Sequence, residues 1–156
     1  MIQVDIPGTG RVRIKHAVFD FNGTIAKDGI LIPGVAEGIR EFSDRLDFHV
    51  LTADTFGSVE KQLKGTGACV TVISQDNQDQ KKLDYVNALG AGHTLCVGNG
   101  VIDVLMLKAA CIGIAVLEDE GTAVSAITAS QILVKNALDV FDYFRTPERL
   151  IATLRK

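Results

Sequence analysis

From residue 2 the chain alternates. Ile2, Val4 and Ile6 are apolar with Gln3 and Asp5 between them, Pro7-Gly8-Thr9-Gly10 breaks the pattern, and Arg11 to Lys15 alternates again. Period-two alternation on both sides of a turn predicts a β-hairpin. The second arm then turns fully apolar, so Val12 to Phe21 reads as one strand that runs into the centre of a sheet and meets a carboxylate, Asp20, at its end. Ile25 to Ile32 frames the turn Lys27-Asp28-Gly29 and predicts a small flap. Pro33 is suited to the first position of a helix, with Val35, Ile39, Phe42 and Leu46 at helical spacing. Phe48 to Leu51 predicts a buried strand that ends at Thr52, followed by a helix from about Thr55 to Leu63 that Gly65-Thr66-Gly67 stops.

The same alternation of periods continues to the end. Strands are predicted at Cys69 to Ile73, Thr94 to Val97, Cys111 to Val116 and Ile132 to Val134. Helices are predicted at Gln80 to Leu89, Ile102 to Ala110 and Thr122 to Ala129. Asn136 is a good N-cap for a last helical region that Thr146-Pro147 divides in two. Strands alternating with helices of this length imply crossover connections, and so a mostly parallel, doubly wound α/β sheet with helices on both faces. The expectation is one domain over residues 1–156 with an N-terminal β-hairpin extension.

Composition narrows the class. A chain of 156 residues with 47% hydrophobic and 22% charged content can bury a substantial core. A formal charge of -3 and a pI near 5.6 argue against a nucleic-acid or anionic-membrane partner. Met1 to Gly8 lacks a basic and then apolar leader, and no apolar run approaches the roughly 18 residues of a membrane span, so a cytoplasmic location is expected. Cys69, Cys96 and Cys111 lie beside or within apolar strand-like runs without a C-x-x-C pair, which reads as buried reduced thiols. His16, His49 and His93 stand singly near strand starts, which does not suggest a zinc site.

Candidate chemistry gathers at strand ends. A carboxylate at the C-terminal end of a parallel strand lies where open α/β sheets bind ligands, although Asn22-Gly23 after Asp20 is also ordinary turn chemistry. Thr52 and the backbone of Ala53 would sit at a strand end before a helix, where anions are held. Lys81 and Lys82 open a helix, where cations oppose the dipole. Gly98-Asn99-Gly100-Val101-Ile102-Asp103 fails as a dinucleotide fingerprint, because Asp103 takes the third glycine's place and its charge would face the pyrophosphate. Gly8-Thr9-Gly10 precedes a strand instead of opening a helix and carries no such signal.

Taken together these pieces resemble a known family. Asp20-Phe21-Asn22-Gly23-Thr24 resembles motif I of the haloacid dehalogenase (HAD) superfamily, Asp-x-Asp-x-Thr, and is similar to the Asp-Lys-Thr-Gly-Thr of P-type ATPases. Thr52 resembles motif II, and Val97 to Asp103 resembles motif IV. Lys82, Val86 and Leu89 reproduce the Lys-x-x-x-Val-x-x-Leu helix that carries the motif III lysine of P-type ATPases. The distance back from Gly98 fits Lys81 instead; Lys82 ranks first, because the loop at Gly90 to Gly92 leaves room for one extra residue, and Lys81 is the alternative. Within the superfamily the chain looks most like the small soluble proteins related to the P-type ATPase phosphorylation domain. The stretches between Asp20, Thr52 and Lys82 hold a flap and a βα unit but no cap domain.

The resemblance implies roles. Asp20 would be the nucleophile that becomes an aspartyl-phosphate; Asp20, the backbone carbonyl of Asn22 and Asp103 would hold Mg²⁺; Thr52, Ala53, Gly23 and Lys82 would bind the phosphoryl group. Superfamily phosphatases usually carry an acid at the position of Asn22, and an amide can neither protonate a leaving group nor activate water. Asn99 likewise replaces an acid. The expectation is a magnesium-dependent hydrolase of HAD type, a phosphatase or phosphoryl-transfer enzyme of low intrinsic activity acting on a phosphorylated substrate. The alternative is a regulatory or binding module that keeps the phosphate and Mg²⁺ site with little catalysis. A response-regulator receiver is disfavoured, since it expects an acidic pair after the first strand. Capless members commonly act on large substrates or close their sites by oligomerising, which makes a homo-oligomer the expected assembly.

Overall fold

The computed structural model describes residues 1–55 and 57–156. Ile2–Ile6 (β1) and Gly10–Ile14 (β2) pair antiparallel as a two-stranded sheet of their own. The alternating run does not continue into one strand as the sequence suggests: it breaks at Lys15, and His16–Asp20 (β3) belongs to the main sheet. The reason is a change of partner. Lys15 donates its N–H to His93 and accepts from Asp47, so the backbone leaves β1 and takes neighbours on both sides.

Six parallel strands make the main sheet: β3, Asp47–Thr52 (β6), Cys69–Val72 (β7), Thr94–Gly98 (β8), Ile112–Val116 (β9) and Ile132–Val134 (β10). Their spatial order is β10-β9-β8-β3-β6-β7. The chain winds outward from β3 through β6 to β7, then returns to β8 on its other side and winds through β9 to β10. The gap between β3 and β8 is therefore the topological switch point, where an open sheet leaves a crevice at its C-terminal edge. A short flap, Ala26–Lys27 (β4) and Ile30–Leu31 (β5), follows β3 directly.

Alternation along β3 decides which layer each side chain meets. Ala17 and Phe19 point into the larger core, where Phe48, Phe141 and Phe144 stack with Phe19 or against one another. This face is covered by Val35–Phe42 (α1) and Leu138–Arg145 (α6), while Glu148–Leu154 (α7) packs on β1. Val18 points to the other face, among Leu51, Val86, Cys96, Met106 and Leu107. That face is covered by Gln78–Leu89 (α3), Val104–Ala109 (α4) and Val124–Ala129 (α5). Asp20, two residues beyond Val18, is thereby aimed at the layer that holds α3.

Several boundaries differ from the pattern-based reading, each for a local reason. The first long helix starts at Val35 rather than Pro33 because Gly34 takes φ 94, a left-handed turn. Helix α3 starts two residues earlier than expected. Residues 101–103 form a 3₁₀ turn before α4. Thr122 bonds the Val116 carbonyl through its hydroxyl and leaves α5 to begin at Val124. The helix expected from Thr55 spans residue 56, outside the described residues; Ser58–Gln62 (α2) is the helix seen there. Asn136 does cap α6, its Oδ1 accepting from Asp139 N–H at 3.2 Å. Cys96 is buried, but Cys69 is exposed and Cys111 half-buried. Among the described residues no helix is long and apolar enough to cross a membrane.

One close approach gives a stability test. A Cβ on Gly113, in β9, would lie 2.3 Å from the Leu107 carbonyl oxygen at the end of α4, and a backbone atom cannot swing away. Gly113→Ala should lower unfolding stability by about 1–3 kcal/mol, as overpacking does. Urea denaturation reads this, and an unchanged midpoint would show that α4 and β9 are not packed this closely.

Candidate active site

Three strand ends and one helix converge at the switch point. Asp20 ends β3, Thr52 ends β6, Gly98 ends β8 and is followed by Asn99 and the turn that carries Asp103, and α3 brings Lys82 across the sheet face. A cavity of about 340 Å³ is lined by Asp20, Asn22, Thr52, Ala53, Gln78, Asn99, Gly100, Ile102 and Asp103.

Its floor is a buried ion array. Lys82 Nζ donates to Asp20 Oδ1 at 2.6 Å and to Asp103 Oδ1 at 2.7 Å. Lys82 is 1% exposed, Asp103 0% and Asp20 8%. Asp103 Oδ2 accepts from the N–H groups of Asn99 at 3.0 Å and Gly100 at 2.9 Å, so the motif IV turn folds around the carboxylate. Asp20 Oδ2 accepts from the Thr24 hydroxyl at 3.3 Å. Lys81 lies outside this arrangement, on the surface, bonded to Ser74 and at 2.8 Å to Asp76.

The charges in the array do not balance. Burial, followed by the neighbouring Asp103 carboxylate, pushes Asp20 from 3.8 up to about 7, even though Lys82 pulls the other way. Burial alone would lower Lys82, but Asp20 and Asp103 outweigh it and hold the ammonium above its usual value. Two carboxylates share one ammonium, and without another cation the cluster favours taking up a proton.

The remaining candidates divide. Thr52 is buried and its Oγ1 accepts from Asp54 N–H at 3.1 Å, which leaves the hydroxyl proton free to donate into the cavity. Asn22 is exposed at the mouth, and Ala53 lines the cavity. Gly23 does not fit the phosphate-binding role given it above. Its φ is 73, its N–H goes to the Ala26 carbonyl at 2.8 Å, and it is absent from the cavity wall. Glycine is required there for another reason, because a Cβ would lie 2.3 Å from Asn99 Nδ2.

Two residues matter more than the sequence reading allowed. Buried Thr24 donates from Oγ1 toward both Asp20 and, at 3.1 Å, Asn99 Oδ1; Asn99 Nδ2 donates to the Gly121 carbonyl at 3.0 Å. Asn99 thus ties the turn after β3 to the loop after β9. Gln78 joins the cavity from the start of α3. The spacing of Thr24 in motif I was the only signal available for it, and nothing local marked Gln78. The histidines also differ from their single appearance in sequence. His16 Nδ1 lies 3.2 Å from His49 Nε2, and His49 Nδ1 lies 2.9 Å from the Tyr85 hydroxyl. Among the described residues no three His, Cys, Asp or Glu side chains group as metal ligands.

No family model matches the chain. A stretch of 61 residues, 39% of the chain, is 43% identical to an uncharacterized protein of Methanocaldococcus jannaschii and spans 66% of that protein. Among solved structures, the cobalt-bound deoxy-D-mannose-octulosonate 8-phosphate phosphatase of Haemophilus influenzae is similar over 92% of this chain and 94% of its own, with TM-score 0.71 and 13% identity. The 3-deoxy-D-manno-octulosonate 8-phosphate (KDO 8-phosphate) phosphatase of Moraxella catarrhalis, solved with magnesium, phosphate and KDO, is similar over 91% of this chain and 94% of its own, with TM-score 0.70 and 15% identity. The likeness is one of fold: the chain has the HAD-like Rossmannoid α/β architecture.

The raised Asp20 gives a pH test with a definite sign. An acid whose folded value exceeds its unfolded value holds extra protons when folded, so its stabilising contribution is complete below about 3.8 and is lost as pH rises toward about 7. Metal-free protein should therefore lose a few kcal/mol relative to Asp20→Asn across that interval in paired denaturation curves. Parallel profiles for the two proteins would show that Asp20 titrates normally.

Proposed function

We propose that this chain is a Mg²⁺-dependent phosphohydrolase of HAD type, a single capless domain over residues 1–156 that moves a phosphoryl group from a phosphorylated substrate to Asp20 and then to water. The observation that carries this reading is the buried Asp20–Lys82–Asp103 array, open through Asp20 to a cavity that Thr52 also lines.

The residues present suit a hard cation. The array lacks one positive charge when both acids are ionised, and a divalent ion with oxygen ligands would supply it, held by the Asp20 carboxylate and the backbone carbonyl of Asn22. Asp103 has one oxygen on Lys82 and the other on two backbone amides, so it contributes charge more than an open ligand position. Bound there, Mg²⁺ would withdraw charge from the phosphoryl oxygens and offset the repulsion between two anions.

The chain's own groups then divide the work. A carboxylate oxygen of Asp20 attacks phosphorus in line as the bond from phosphorus to the leaving oxygen breaks. Lys82, the Thr52 hydroxyl and the Ala53 backbone hold the phosphoryl oxygens. The leaving oxygen takes its proton from water, because Asn22 has none to give. Water next attacks the phosphorus of phospho-Asp20, which releases inorganic phosphate and restores the carboxylate. Both steps run without the general acid and base that are worth typically about 10²–10⁴-fold. Slow turnover and a long-lived phospho-Asp20 follow, in keeping with the sequence likeness of motif I to P-type ATPases.

In the same reading the protein works in the cytoplasm as a homo-oligomer. Ile30 on the flap, Val101 within motif IV, Leu117 after β9 and Val124 at the start of α5 expose apolar surface on segments around the mouth, which a second copy would cover. The competing reading, a binding module with little catalysis, draws on Asn22 and on Asn99, whose side chain is engaged in tying loops together.

A phosphatase screen with Mg²⁺ separates the two. Wild type should release phosphate slowly, Asp20→Asn should be inactive, and Asn22→Asp should raise the rate by up to about 10²-fold. The active species should sediment as more than one copy. Equal rates for wild type and Asn22→Asp would assign the acid elsewhere, and phosphate binding without release by either would favour the module.

A further inference from the structure

A second cavity adjoins the first. It measures about 310 Å³, is lined by Phe21, Asn22, Gly29, Ala53, Asp54, Ser58 and Val59, and shares Asn22 and Ala53 with the catalytic cavity. It lies between the flap and α2, which are fastened together: Gln62 in α2 donates from Nε2 to the Gly29 carbonyl at 2.9 Å and accepts the Leu31 N–H at 2.7 Å. In-line attack by Asp20 sends the leaving oxygen to the side of the phosphorus away from the carboxylate. Asn22, exposed at the mouth, lines both cavities, so the second is the one a leaving group can enter from the first. The second cavity is the place for the alcohol that departs.

Its chemistry is selective. None of the described lining residues is Lys, Arg or His, and one, Asp54, carries a carboxylate. Asp54 Oδ2 is fixed by the Ser58 N–H at 3.0 Å, the Ser58 hydroxyl at 2.8 Å and the Val59 N–H at 3.3 Å. Ser58 gives its proton to Asp54, so its oxygen is left as an acceptor. The approach is acidic as well. Asp28 follows Lys27 on the flap, Glu120 accepts the Asp28 N–H at 2.7 Å, and Lys27 is paired with Asp119 at 2.6 Å. Hydroxyl groups find acceptors here and an amide in Asn22. Among the described lining residues a carboxylate or a second phosphate meets the Asp54 carboxylate and no cationic side chain.

Resting on the reading of the site as a phosphatase, we infer that the group seated between the flap and α2 is a compact, uncharged polyhydroxylated alcohol, so that the substrate is a polyol or neutral sugar monophosphate. A volume near the lower end of the roughly 300–1,000 Å³ range of ligand pockets suits a small alcohol. The sugar acid bound by the Moraxella catarrhalis structure is the kind of ligand this cavity turns away.

Matched pairs that differ by one carboxylate test this: glycerol 3-phosphate against 3-phosphoglycerate, and erythritol 4-phosphate against erythronate 4-phosphate. Hydrolysis by wild type with Mg²⁺ gives kcat/KM, and calorimetric binding to Asp20→Asn gives affinity without turnover. The neutral member should be preferred by at least about tenfold in both readouts. Ser58→Lys, which brings a cation into the cavity, should narrow the gap by a similar factor. Hydrolysis with no preference, or with the acid preferred, overturns this inference and leaves the phosphatase reading standing. Preferential binding of the neutral member without hydrolysis supports the cavity's selectivity and overturns the phosphatase reading. Neither binding nor hydrolysis of any member overturns both.

Discussion

Lys82 buried between two carboxylates is the interaction on which the rest of the site depends. An ammonium removed from water is tolerated only when its hydrogen bonds and its charge are answered, and Asp20 and Asp103 do both at 2.6 and 2.7 Å. The answer overshoots by one negative charge. That excess makes Asp20 hard to ionise in isolation and makes the cluster receptive to a cation, and it lies at the one place in the sheet where winding reverses and leaves a crevice. Fold and charge thus specify the same location from different directions.

Around this array the structure divides its labour by strand parity. On β3 the odd residues feed an aromatic core under α1 and α6, while the even ones face α3 and α4 and end on Asp20. Rigid packing on one side therefore holds reactive geometry on the other. Helix α3 is anchored by Val86 in the smaller core and carries Lys82 one turn earlier on the same stripe. The turn after β8 uses Asp103 to gather its own backbone amides, so that the carboxylate that orients Lys82 also shapes its loop.

Much of this was legible from residue pattern. Alternating periods gave the order of strands and helices, Asp20 and Thr52 were marked by position at strand ends, and Asp103 by the glycine- and asparagine-rich loop that precedes it. What stayed hidden depends on partners distant in sequence. The break at Lys15 is invisible because alternation runs through it, and only the pairing with Asp47 and His93 cuts the strand. Lys81 and Lys82 are adjacent, and only the helix phase decides which is buried. Gly23 looked like a phosphate loop, yet its amide is used by Ala26 and its missing side chain makes room for Asn99, a residue far along the chain. Gln78 and the His16–His49 contact are likewise products of packing.

Every step of the proposed chemistry requires Asp20 to be a phosphoryl acceptor beside a bound cation. Beryllofluoride, which mimics a phosphoryl group on a carboxylate, tests that directly by ¹⁹F NMR. Protein-bound resonances should form on wild type only when Mg²⁺ is present and should be absent from Asp20→Asn. Identical spectra for the two proteins, or no bound signal on wild type at any Mg²⁺ concentration, would contradict it.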